Sequence, residues 1–113
     1  MKKLTKKFLV QFALESIGHI ESFIEGLSFS TFLRKPMARD ATIQRLEFLG
    51  FALRDLSKRI RAEDPKRYLA RKARRYDSLT KDYRKVDDKK IWETVTLGLP
   101  RLKKKLQTLS QMK

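Results

Sequence analysis

The chain has 113 residues, a length that accommodates one domain and excludes two domains with separate cores. Lys and Arg number 28 against 13 Asp and Glu, so the formal net charge is +15, while 41% of the residues are apolar. This composition predicts a folded basic domain whose partner is a polyanion, either nucleic acid or an acidic protein. A surface whose charge serves only solubility is the alternative.

The residues that are absent exclude several kinds of site. Without cysteine, disulfides and thiolate chemistry are excluded, and the single histidine, His19, cannot build a metal cluster or a catalytic triad within one copy. We therefore expect neither a metal nor a cofactor. No apolar run approaches the ~20 residues of a bilayer span and no signal peptide is visible, so the expected location is the cytoplasm, without membrane contact.

Apolar residues at spacings of three to five predict a first helix over about residues 3–25, ended by Gly26 in the left-handed conformation. Ser28 is placed to cap a short helical turn, which Pro36 ends. The apolar stripe of the first helix is Leu4, Phe8, Phe12, Ile17, Ile20 and Ile24.

A second long helix is predicted over residues 41 to about 62, with Asp40 as its N-cap. Gly50 lies in its middle, where glycine costs about 1 kcal/mol relative to alanine, and this indicates the close approach of a neighbouring helix. Asp64-Pro65 marks the break after it, since proline is tolerated in a first helical turn. The apolar stripe is Ile43, Leu46, Leu49, Ala52 or Leu53, Leu56 and Ile60.

Two further helices complete the pattern. The third is strongly basic, and its apolar side carries Leu69, Ala73, Tyr76, Leu79 or Thr80, and Tyr83. The fourth begins near Val86-Asp87-Asp88, is expected to kink at Pro100, and carries Ile91, Val95, Leu99, Leu102, Leu106 and Leu109. Four amphipathic helices without a strand pattern predict an all-α, up-and-down four-helix bundle with a short extra helix, in one domain over 1–113.

Three local features have competing interpretations. His19, inside the first helix, is expected to be a polar surface or partly buried residue rather than a catalytic one. Trp92 is expected to pack in the core or at a dimer interface, with base stacking as the alternative. The basic run Arg71–Arg75 is either a solvated face or a phosphate-contacting surface, and we favour the second because no acidic residue interrupts it.

Several short segments stand out by their order and spacing along the chain. They are Gly26-Leu27-Ser28-Phe29-Ser30-Thr31-Phe32-Leu33, Asp40-Ala41-Thr42-Ile43, Leu46-Glu47-Phe48-Leu49-Gly50, Tyr83, Val86-Asp87, Ile91-Trp92-Glu93-Thr94-Val95 and Leu99-Pro100-Arg101-Leu102. Taken together, these segments resemble the HepT-like (DUF86) family of the HEPN superfamily over nearly the whole chain. The resemblance implies a HEPN-like bundle that dimerises and acts as a metal-independent ribonuclease. It also implies a toxin whose antitoxin is an MntA-like nucleotidyltransferase, which can attach AMP to a motif tyrosine.

The ribonuclease motif of that family reads Arg, four residues, His, one residue, Tyr. Alignment from Val86-Asp87 and Trp92 places the tyrosine on Tyr83, the histidine on Lys81 and the arginine on Tyr76. The resemblance thus implies that Tyr83 is the AMP acceptor and that the catalytic positions Tyr76 and Lys81 are degenerate, because a lysine ammonium is a poor proton shuttle at pH 7. Arg75 could replace the guanidinium if the helix were rotated or shifted by one residue.

The sequence therefore predicts a homodimeric, cytoplasmic HepT-like protein of a toxin–antitoxin type system that binds RNA. Whether it is an active enzyme stays open at this stage. The alternatives are a non-enzymatic basic subunit that docks on a nucleotidyltransferase, and a general nucleic-acid-binding bundle. The predicted RNA-binding residues are Arg71, Arg74, Arg75, Lys81 and Arg84.

Overall fold

The computed structural model describes residues 4–111, which form helices joined by short turns. Within these residues there is no strand, and α1 packs on α3 and α6 while α3 also packs on α4. A π-helical turn, Thr94–Gly98, joins α5 and α6 into one helical segment. The α-helices are α1 (Lys6–Ile24), α2 (Phe29–Leu33), α3 (Pro36–Arg59), α4 (Tyr68–Thr80), α5 (Asp88–Glu93) and α6 (Leu99–Gln111). The predicted all-α bundle of four long segments and one short helix is confirmed.

Most predicted apolar stripes form one connected hydrophobic core. The stripe of α3 is buried except for Ile43, which is half-buried, and that of the α5–α6 segment is buried throughout. None of the helices within residues 4–111 is both long and apolar enough to cross a membrane. The buried stripes of the helices therefore pack against one another in a single interior, with the side-chain ridges of one helix in the grooves of the next.

The predicted stripe of α1 is wrong in its first turns. Leu4 and Phe8 are 42% and 51% exposed, because the face that meets α3 and α6 carries a different set of residues. Thr5 caps this helix, its hydroxyl accepting the Phe8 N–H at 3.0 Å, and the predicted first residue, 3, lies outside the described residues. The buried set is Leu9, Val10, Ala13, Ser16, Ile17 and Ile20.

The predicted start of α3 at residue 41 is also wrong. The helix begins at Pro36, where the missing N–H has no helical partner to lose, and it ends at Arg59 instead of about 62. Asp40 lies inside it and pairs with Arg39 at 3.0 Å instead of capping. The predicted left-handed Gly26 (φ 75°) and the Ser28 cap of α2 are confirmed.

Gly50 marks the closest contact between α3 and α4. A Cβ atom added there would lie 3.2 Å from the Cβ of Tyr76 and 3.6 Å from the carbonyl oxygen of Ala73. The predicted close approach of a neighbouring helix is confirmed, and the neighbour is α4. Small residues on both sides thus let the two helices run close together.

The turn between α3 and α4 is strained and internally capped. Lys66 and Arg67 both have left-handed backbone (φ 57° and 54°), a conformation that costs a non-glycine residue about 1–2 kcal/mol. The buried Asp64 carboxylate accepts the Leu69 N–H at 3.0 and 3.1 Å and thereby caps α4. The break at Asp64-Pro65 is confirmed, although Pro65 opens a 3₁₀ turn rather than the helix itself.

Candidate nucleic-acid interface

A groove of about 260 Å³ runs between α3 and α4. Its lining includes the small residues Gly50, Ala70 and Ala73, and it also holds two acidic residues, Glu47 and Asp77. Five cationic side chains line it, so the positive charges outnumber the negative ones. The cations are Arg54, Lys58, Arg61, Arg67 and Arg74.

Helical spacing explains why these cations face one another. On α3 and just beyond it, Arg54, Lys58 and Arg61 follow Gly50 at intervals of three or four residues and so continue its face towards α4. On the other wall, Arg67 and Arg74 are seven residues, or about two turns, apart. The close contact at Gly50 therefore brings two cationic rows to the borders of one groove, a geometry suited to a chain of phosphates.

The predicted RNA-binding residues do not form one surface. Arg74 lines the α3–α4 groove, whereas Arg71 and Arg75 act electrostatically on Lys72 on the flank that faces α6. Arg84 lies beyond the end of α4 and pairs with Asp82 at 3.2 Å, and the hydrogen bonds from its side chain and its backbone N–H lower the pKa of that carboxyl group. Sequence reasoning missed four groove cations: Arg54, Lys58, Arg61 and Arg67. The helical spacing of the first three from Gly50 is a usable signal, whereas Arg67 lies beyond the break that follows α3.

The three motif positions lie in different environments. Tyr76 is 1% exposed, and its hydroxyl has no hydrogen-bond partner among residues 4–111. Burial raises the pKa of Tyr76 far above its ordinary value, so this phenol stays neutral. Lys81 is exposed immediately after α4, where its backbone N–H donates to the Asp77 carbonyl at 2.9 Å. Tyr76 therefore has no surface with which to contact an RNA phosphate.

Tyr83 is 84% exposed, and its predicted position on the apolar side of the third helix is wrong. The α-helix ends at Thr80, and Tyr83 opens a separate 3₁₀ turn capped by Asp82, so the helical period does not extend to it. The exposed phenol is accessible to a modifying enzyme.

His19 and Trp92 each lie beside the ring of another aromatic residue. His19 is exposed, with its ring 6.4 Å from that of Phe23, as expected for a surface residue. Trp92 is half-buried, with its ring centroid 5.1 Å from Phe32 and 6.3 Å from Phe29. Trp92 thus fixes α2 onto α5, and the packing interpretation is confirmed.

An exposed apolar patch spans α1 and α3. It consists of Leu4 and Phe8, which the predicted stripe wrongly assigned to the core, together with Phe48 and Phe51 of α3. Arg54, whose side chain also reaches the α3–α4 groove, lies 5.4 Å from the Phe51 ring centroid. The apolar patch and the cationic groove therefore adjoin.

Comparison with known proteins places the chain in a family. The family model described as "Ribonuclease HepT-like" matches residues 13–109. A protein of Thermococcus cleftensis named "Probable ribonuclease HepT" is 35% identical over 112 residues, covering 96% of this chain and 98% of its own. A protein of Caldanaerobacter subterraneus subsp. tengcongensis, an RNase by its name, is 31% identical over 88 residues (78% and 79% of the two chains). No solved structure matches the chain.

The fold and the groove define a basic, all-α helical bundle with a cationic cleft between two of its helices. Within that class, the chain belongs to the HepT-like ribonuclease family, since the family model covers most of its length and close relatives align along it.

Proposed function

We propose that this chain is a HepT-like protein of a toxin–antitoxin system, which binds RNA in the α3–α4 groove and whose ribonuclease centre is degenerate. One observation carries the proposal: the position that the family resemblance assigns to the motif arginine is Tyr76, inside the core. Membership of a ribonuclease family supports RNA as the ligand. The net charge of +15 and the cationic groove support binding through phosphates.

The chemistry of RNA cleavage explains why the centre is degenerate. Attack of the ribose 2′-hydroxyl needs a group that takes its proton near pH 7 and a cation that holds the scissile phosphate. Tyr76 provides neither, because its phenol is buried and neutral. Lys81 is exposed and offers a positive charge without the acid–base function of histidine.

Incubation with a fluorescent single-stranded RNA in EDTA tests whether the ribonuclease centre is degenerate and whether the groove binds RNA. We expect the chain to leave the RNA intact while binding it, with binding measured by anisotropy. The Arg54→Gln/Arg74→Gln variant should bind at least tenfold more weakly than Lys7→Gln/Lys89→Gln, which removes the same charge from exposed positions outside the groove. Vigorous metal-free cleavage by the unmodified chain contradicts the degenerate site, and equal binding by the two variants contradicts the groove.

The apolar patch supports a homodimer as part of the proposal. An exposed group of large apolar side chains marks an interaction surface, and a two-fold interface lets one patch cover its copy. Sedimentation at about 50 μM should give a dimer that Phe8→Ser/Phe51→Ser converts to monomer. The matched control, Met37→Ser/Leu97→Ser, removes exposed apolar residues elsewhere and should remain dimeric. A monomeric unmodified chain, or a dimeric patch variant, refutes this interface.

The proposed partner is a nucleotidyltransferase antitoxin, for which Tyr83 is the acceptor. Its phenolic oxygen would attack the α-phosphorus of ATP, forming the new P–O bond as pyrophosphate leaves and the phenolic proton passes to base. Incubation with the product of an adjacent nucleotidyltransferase gene and ATP should add the mass of one adenylyl group, which is that of AMP less one water. Tyr83→Phe should abolish the addition and Tyr68→Phe should retain it, because only Tyr83 of this pair is exposed. AMP addition to Tyr83→Phe excludes this acceptor.

A further inference from the structure

A second group of cations lies on the flank of α4 that faces α6, away from the groove. At its centre is Tyr68, whose ring centroid lies 5.5 Å from the Nζ of Lys72 and 5.5 Å from the Nζ of Lys105. The two ammonium groups come from helices far apart in sequence and converge on one aromatic ring. We call the group the α4–α6 cation cluster: Arg71, Lys72, Arg75, Arg101 and Lys105.

This cluster has no internal counter-charge. Within residues 4–111, none of its five side chains is in an ion pair with a carboxylate. Burial, followed by the charges of Arg75, Arg101 and Arg71, lowers the pKa of Lys72. Its neighbours thus act on it as like charges, and an anion placed among them would relieve the repulsion.

Tyr68 acts in the cluster through its ring. Its hydroxyl is buried and has no hydrogen-bond partner in the described part of the chain, so it is not available to a ligand in solution. The ring instead holds Lys72 and Lys105 by cation–π attraction. Arg71 is also held, because its Nε donates to the Lys66 carbonyl at 3.1 Å. Positioned cations lose less side-chain entropy when they bind phosphate than free ones do.

We propose that the α4–α6 cation cluster binds backbone phosphates of the same RNA strand that the α3–α4 groove holds. Helix α4 presents Arg74 to the groove and Arg71 and Arg75 to the cluster, so a strand that leaves the groove meets the second set of cations after it crosses this helix. The proposal rests on the proposed function in one respect, the identity of the ligand. It adds a second contact area that the groove does not contain.

Salt-dependent RNA binding by the full chain tests the cluster. The probe is a labelled 20-nucleotide poly(U) strand, with Kd measured by anisotropy between about 50 and 200 mM salt, a range over which binding through phosphates weakens steeply. Lys72→Gln/Lys105→Gln should weaken binding at least tenfold and flatten the log–log salt slope by about 1.4, because each neutralised phosphate of a single strand contributes about 0.7. The matched control is Lys7→Gln/Lys89→Gln, which removes two exposed lysines elsewhere and should change the slope by less than about 0.5.

A second pair of variants separates the ring from the hydroxyl. Tyr68→Phe keeps the aromatic face and should bind the strand like the unmodified chain. Tyr68→Leu should bind about two- to fivefold more weakly than the unmodified chain, a smaller loss than that of the double lysine variant, because both ammonium charges remain and only their cation–π positioning is lost. Circular dichroism establishes that both are folded. If Tyr68→Phe weakens binding as much as Tyr68→Leu, the ring is not what positions the lysines, and the argument is overturned.

The outcomes also separate the cluster from the proposed function. If the unmodified chain does not bind poly(U), RNA binding itself fails. If it binds, and the double lysine variant behaves like its control, the groove alone holds RNA and the cluster proposal is overturned. Lysine-dependent binding of tripolyphosphate, together with lysine-independent binding of RNA, assigns the cluster to a soluble anion and also overturns it.

Discussion

The buried hydroxyl of Tyr76 gives the sharpest test of the core. Tyr76→Phe removes one oxygen that has no hydrogen-bond partner among the described residues and leaves the ring in place. An unpaired buried hydroxyl costs about 1–3 kcal/mol, and the small void left by the oxygen offsets part of the gain. We expect the free energy of unfolding to rise by about 0.5–2 kcal/mol.

The same hydroxyl predicts a loss of stability in alkali. Burial raises the pKa of Tyr76 above its ordinary value of 10.0, so in the folded chain it keeps a proton that the unfolded chain releases. As far as Tyr76 is concerned, the free energy of unfolding keeps its full value below pH 10 and declines as the pH rises above that value. In Tyr76→Phe this part of the decline should disappear, while the part due to Tyr68, whose pKa burial also raises, should remain.

Urea unfolding followed by circular dichroism, at pH 7 and at pH 10.5, measures both effects. At pH 7 the urea concentration at the unfolding midpoint should be higher for Tyr76→Phe than for the unmodified chain. The m-value should be unchanged, since the surface exposed on unfolding is almost the same. Tyr76→Arg, which restores the residue of the family motif, should have the opposite effect and destabilise by at least about 3 kcal/mol, because it buries an uncompensated guanidinium. A loss of more than 1 kcal/mol in Tyr76→Phe would mean that the hydroxyl has a partner and would refute the reasoning.

Three further substitutions test the elements that position the groove, each by urea unfolding. Gly50→Ala should destabilise by about 0.5–2 kcal/mol despite its better helix propensity, because the new methyl lies 3.2 Å from the Cβ of Tyr76; a stabilised variant contradicts the tight contact. Lys66→Gly should stabilise by about 0.5–1 kcal/mol by relieving left-handed backbone (φ 57°), and a loss would show that this conformation is unstrained. Asp64→Ala should destabilise by about 1–2 kcal/mol because the Leu69 N–H loses its acceptor, and a neutral result excludes the cap.

Periodicity predicts most of the fold because each stripe has one buried side. It fails where a helix has apolar residues on two faces, as at Phe8, and where a helix ends before the pattern does, as at Tyr83. The family itself could be predicted from the order of short segments, and the family match confirms it. The roles of the residues at the motif positions stay predictions.

The cationic surfaces could be predicted only in part. A sequence shows that α4 is basic, but it does not show that Arg74 lines the groove beside α3 while Lys72 shares the ring of Tyr68 with Lys105 of α6. Which cations share a surface depends on how α3, α4 and α6 are paired, and this is a property of tertiary packing. The sequence alone therefore does not show that Arg54, on a helix whose apolar stripe belongs to the core, also lines the groove.

The π-helical turn at Thr94–Gly98 sets the rotational phase of α6. Ile91, Val95 and Leu99 are each four residues apart, so in a regular α-helix of 3.6 residues per turn they would drift by about 40° at each step. The wider turn, in which the Leu99 N–H donates to the Thr94 carbonyl five residues back, absorbs this surplus just before Pro100. The buried stripe stays in line, and the direction in which the outer face of α6 points is decided by one extra residue in that turn.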